Sequence, residues 1–83
     1  MSPLEQEIID TIAAETGLAR EELGLATRFY DVGIDSLSAL EILAALEKKY
    51  DIVLDEQELR DTGTIGAVVN GIASKVREKE AGI

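Results

Sequence analysis

The stretch from Ser36 to Tyr50 constrains the fold more than any other part of the chain. It is rich in Ala, Leu and Glu, which are strong helix formers, and its apolar residues recur at helical spacing. Two apolar stripes run along it. Ala39, Ile42, Leu43, Leu46 and Tyr50 form one, which we assign to a core; Leu37, Leu40 and Ala44, flanked by Glu41 and Glu47, form the other. A chain of 83 residues that is 46% apolar has one small core and cannot easily bury both. The second stripe is therefore a candidate surface for a partner protein.

Helical signals recur on either side. Ser2 as cap, Pro3 at the first helical position and Glu5 closing a capping box predict a helix carrying Leu4, Ile8, Ile9, Ile12 and Ala13, ended by Gly17. Asp55 followed by Glu58 predicts a short third helix from Glu56 to Asp61, with Leu59 facing inward. Thr64 then caps a last helix, with Ile65, Val68, Val69, Ile72 and Val76 on one face and Lys75, Arg77 and Lys79 near its C-terminus. Gly71 inside that helix costs about 1 kcal/mol relative to Ala. It marks either a soft spot or close packing, and Gly66 in the first turn should cost less. The expected architecture is all-α: one domain over residues 1–83, a small four-helix bundle of three main helices and the short third one. Residues 78–83 are expected to fray.

Between the first two main helices, Leu18 to Asp35 carries turn signals and scattered apolar residues (Leu23, Leu25, Phe29, Val32, Ile34) without a clean period, save one helical turn at Arg20 to Leu23. A loop of this length in a small domain is usually functional. It ends in Gly33-Ile34-Asp35-Ser36-Leu37. That places the Ser36 hydroxyl where a loop becomes a helix, near unpaired helix-terminal N–H groups and the positive end of the helix dipole, with Asp35 able to serve as N-cap. Such a position suits a phosphate. The chain contains no His and no Cys, so the usual general base and thiol nucleophile are missing. Ser36 reads as an attachment point, not a nucleophile.

The charge balance narrows the partners. Seventeen acidic and eight basic residues give a net charge of -9, which argues against nucleic acid or an anionic membrane and makes basic protein surfaces the natural complement. Without cysteine there is no disulfide scaffold and no thiolate metal site; the cytoplasm fits best. Met1-Ser2-Pro3-Leu4-Glu5 lacks the features of a signal peptide, and together with the capping box it points to a natural terminus. Asp31, Asp35, Asp51, Asp55 and Glu56 form no D-x-[DN]-x-[DN]-G loop, so they read as solvated charge and not as metal ligands. Nothing marks the chain as an enzyme by itself, and a monomer is expected.

Taken jointly, Phe29-Tyr30-Asp31-Val32-Gly33-Ile34-Asp35-Ser36-Leu37, then Leu40-Glu41, Ala45-Leu46-Glu47, Tyr50-Asp51 and Thr64-Ile65-Gly66 resemble the acyl carrier protein family over nearly the whole chain. The resemblance implies that Ser36 accepts 4'-phosphopantetheine from coenzyme A and that Asp35 helps the phosphopantetheinyl transferase and its metal ion engage. It also implies that the second helix, through Leu37, Leu40, Glu41, Ala44 and Glu47, docks on acyl-transferring and condensing enzymes with basic docking surfaces. Lys48-Lys49 and Leu54-Asp55 depart from the pattern of discrete fatty-acid carriers, and Ala44 is smaller than the usual contact residue there. These departures leave the carrier role intact and set polyketide, hybrid or other specialised acyl cargo beside fatty-acid synthesis. Gly33-Ile34-Asp35-Ser36 favours the acyl branch over peptidyl carriers. The competing reading is an acidic helical interaction adaptor that binds a basic partner with Ser36 unmodified and no prosthetic group.

Overall fold

Local capping chemistry sets where each helix begins. In the computed structural model, which describes residues 2–54 and 63–82, α1 runs over Pro3–Thr16, α2 over Ser36–Tyr50 and α3 over Ile65–Glu80. Ser2 and Glu5 form the reciprocal capping box: the Glu5 N–H donates to Ser2 Oγ at 3.2 Å and the Ser2 N–H to Glu5 Oε1 at 3.1 Å. Gly17 ends α1 in the left-handed region at φ 75°. Thr64 Oγ1 accepts from the Ala67 N–H at 3.1 Å and opens α3. The short helix expected over residues 56–61 lies outside the described residues.

The three helices enclose one core. Ile8, Ile9 and Ile12 from α1 meet Ile42, Leu43 and Leu46 from α2, and Ile65, Val68, Val69, Ile72, Ala73 and Val76 from α3. The loop between α1 and α2 contributes Leu23, Phe29 and Ile34 to the same core, while Leu25 remains exposed. Two 3-10 turns shape that loop. Arg20–Glu22 coincides with the turn predicted there; Phe29–Val32 was not marked by any apolar period and is seen only in the structure.

Fasteners hold the bundle at both ends. At one, the loop pairs with the start of α3: the Ile65 N–H donates to the Thr27 carbonyl at 2.9 Å, the Gly66 N–H to that of Leu25 at 2.8 Å, and Phe29 to that of Gly63 at 3.3 Å. A Cβ on Gly66 would sit 2.7 Å from the Leu25 carbonyl oxygen, so a glycine is required there. This decides between the alternatives for Gly71, which is a soft spot and not a close-packed site, and corrects the expectation that Gly66 is the less demanding glycine. Gly66 makes the close approach, whereas a Cβ at Gly71 would meet nothing within 4 Å. At the other end, the Lys79 ammonium donates to the Asp51 carbonyl at 2.9 Å and to Asp51 Oδ2 at 2.7 Å, joining the end of α3 to the C-terminus of α2. The Lys79 bond holds the Asp51 carboxyl below its ordinary range. The Tyr50 hydroxyl donates to Glu7 Oε1 at 2.7 Å; burial and that bond push the phenol pKa up.

Candidate functional site at the start of the second helix

The approach to Ser36 is fixed by its backbone. The turn Phe29–Val32 closes with Gly33 at φ 77°, a left-handed conformation that favours glycine, whose N–H donates to the Tyr30 carbonyl at 3.2 Å. The Ile34 N–H then donates to the Phe29 carbonyl at 2.9 Å, and the Ile34 side chain is buried. With Phe29 and Ile34 anchored in the core, the two residues that follow emerge at the surface.

Asp35 is extended and caps α2, as its type and place predicted. Its Oδ1 accepts from the Ser38 N–H at 2.8 Å, and its carbonyl accepts from the Ala39 N–H at 2.9 Å. The Ser38 N–H stabilises the charged carboxylate and holds the Asp35 pKa below its ordinary value. Ser36 is the first residue of α2 and is exposed. Its N–H has no partner among the described residues. An exposed hydroxyl, a free helix-terminal N–H and the positive end of a helix of fifteen residues fit a phosphate ester at Ser36. The carboxylate beside it is already engaged by a backbone donor.

The structure separates the two stripes of α2. Ile42, Leu43 and Leu46 are buried and Ala39 and Tyr50 pack against them. Leu37 is 67% exposed and Leu40 51%, and Glu41 and Ala44 are exposed beside them. Glu47 differs from its expected companions: it is half-buried, and its Oε2 accepts from the Leu54 N–H at 3.0 Å. Its carboxylate fastens the chain that leaves α2. Lys48, which was not counted among the surface residues of the stripe, is exposed. Its place four residues after Ala44 is the signal that could have found it. No helix among the described residues is long and apolar enough to cross a membrane.

Comparison with known proteins agrees with this geometry. Residues 6–72 match the model of the family described as the phosphopantetheine attachment site. An acyl carrier protein of Clostridium acetobutylicum is 32% identical over 74 residues, which span 88% of this chain and 96% of the relative. A conidial pigment polyketide synthase of Pestalotiopsis fici is 34% identical over 61 residues, 74% of this chain but 3% of that large protein. The fold is similar to that of hexanoyl acyl carrier protein from the actinorhodin polyketide synthase of Streptomyces coelicolor, with a TM-score of 0.70 and 24% identity over 90% of this chain and 87% of that one. An acidic helical bundle, an exposed serine at a capped helix start and a family match across most of the sequence lead to one conclusion: the chain belongs to the phosphopantetheine-bearing acyl carrier protein family.

Proposed function

We propose that Ser36 bears the 4'-phosphopantetheine arm, and that the chain holds acyl intermediates on it and presents them to successive enzymes without catalysing a reaction itself. The observation that carries this reading is the exposed Ser36 hydroxyl at the first position of α2, beside a free N–H and a cap already satisfied by Asp35. The arm supplies a thiol, which this cysteine-free chain lacks, for thioester attachment of the acyl group. Everything else falls to the protein. Gly33 and Ile34 place the serine at the surface, Asp35 keeps the helix start rigid and offers a carboxylate to the transferase, and Leu37, Leu40, Glu41 and Ala44 give partner enzymes a surface to grip. Tethering replaces free diffusion by a high effective concentration at each enzyme, so a domain with no catalytic groups can direct a pathway.

The partners on this reading are a phosphopantetheinyl transferase and the acyl-transferring and condensing enzymes of a fatty-acid or polyketide route, acting in the cytoplasm. The net charge of -9 favours encounter with basic surfaces. Intact mass after incubation with a phosphopantetheinyl transferase and coenzyme A tests the assignment. Wild type should gain one phosphopantetheine and Ser36→Ala none. Labelling of the alanine variant would move the site elsewhere, and a wild-type chain that gains nothing would turn the reading to the acidic adaptor.

A further inference from the structure

We propose that Lys48 is a specificity residue of the docking face, which is bipolar and selects partners that offer a cation opposite Glu41 and a carboxylate opposite Lys48. This rests on the carrier reading above. With 3.6 residues per turn, Leu37, Glu41, Ala44 and Lys48 follow one line along α2, and Leu40 lies beside it. All five are exposed. At about 1.5 Å per residue, Glu41 and Lys48 stand roughly 10 Å apart along the helix, two turns of one surface.

The neighbours of Lys48 have other duties. Glu47 turns inward to the Leu54 N–H. The Lys49 ammonium turns to α1, donating to Thr11 Oγ1 at 2.8 Å and lying 4.0 Å from Glu7 Oε1. Lys48 has no hydrogen-bond or ion-pair partner among the described residues. A cation suits the carbonyl end of a helix, which would be a purely structural reason for it. Lys79 already fills that role, donating to the Asp51 carbonyl and lying 3.5 Å from that of Tyr50. Among the described residues nothing takes up the charge at position 48, which is exposed and open to a partner.

The exposed line thus carries one acid and one base on a molecule whose net charge is -9. The overall field draws basic partners to the carrier, while the Glu41–Lys48 pair sets which of them seat. A partner that is basic throughout meets repulsion at Lys48, and like charges placed opposite each other suppress wrong pairings.

The test uses the full chain, coenzyme A and a phosphopantetheinyl transferase whose carrier-binding surface is basic throughout. Rates are read by intact mass at low salt for wild type, Lys48→Glu, Lys48→Met and Lys49→Glu. Lys48→Glu should raise kcat/KM by about three- to tenfold through KM, with kcat unchanged and Lys48→Met in between. Lys49→Glu should change KM by less than about twofold. At 1 M salt, where the Debye length is about 3 Å, the Lys48→Glu advantage should vanish. The proposal is overturned if Lys48→Glu stays within twofold of wild type, if Lys49→Glu matches it, or if the advantage survives 1 M salt. Thermal melting of each variant separates a docking effect from a folding one. A wild-type chain that is never labelled would instead refute the carrier reading, so the two failures are distinct.

Discussion

The start of α2 and the start of α3 are built from the same parts and finished in opposite ways. Each has a side-chain cap, Asp35 on Ser38 and Thr64 on Ala67, and each capping residue is itself extended. At α3 the first two N–H groups are taken up as well: Ile65 and Gly66 donate to the loop carbonyls of Thr27 and Leu25. At α2 the Ser36 N–H has no partner among the described residues. Buried helix ends must satisfy their donors internally, whereas an exposed end can keep them for a ligand. One terminus is closed by the fold and the other is left open, as the proposed attachment at Ser36 requires.

The strongest way to break this contrast is at Gly66. Gly66→Ala forces a Cβ against the Leu25 carbonyl and should cost about 1–3 kcal/mol in denaturant unfolding. Ser36→Ala should stay within about 0.5 kcal/mol of wild type. Equal losses would erase the distinction between a closed and an open terminus. Next in size, Thr64→Ala should cost about 1 kcal/mol and speed hydrogen exchange at the Ile65 and Gly66 amides, because the loop they hold loosens with the cap. Asp35→Ala should speed exchange only in the first turn of α2.

The smallest effect is also the most specific. The folded-state pKa of Asp35 is lowered, so its charge stabilises above its unfolded value, near 3.9, and the contribution is lost as pH falls through the lower folded value. The melting temperature of wild type minus that of Asp35→Asn should be slightly positive at neutral pH and close to zero below the folded value. The corresponding difference for Thr64→Ala should not change with pH over that window. A pH-independent Asp35 difference would mean that the carboxylate gains nothing from its charge.

What could be read from the sequence was local. Ser2, Asp35 and Thr64 were legible as caps because a capping side chain bonds to a backbone group three residues away, within the span of a short motif. The faces of α2 were legible because helical spacing alone separates Leu37 and Leu40 from Ile42, Leu43 and Leu46. The need for Gly66 was not, since it depends on a backbone carbonyl at Leu25, far off in sequence. For the same reason the sequence left open whether Gly71 is a soft spot or a close-packed site. Glu47 and Lys48 look alike as surface charges on a helix. Only the path of the chain after α2, which brings the Leu54 N–H to Glu47, turns one inward and leaves the other facing out.

The bonds between the loop and α3 also bear on the order in which the molecule matures. Leu25, Thr27 and Arg28 find their partners in residues 63–66, and Arg28 pairs with Thr64 in an isolated antiparallel bridge. During synthesis those partners emerge after the serine they help to present, so α1 and α2 can leave the ribosome while the loop between them still lacks its acceptors' donors. The segment that displays Ser36 therefore settles late, when the beginning of α3 arrives. On the proposed function, a transferase that depends on the finished loop would then read the completion of α3 before it acts on Ser36.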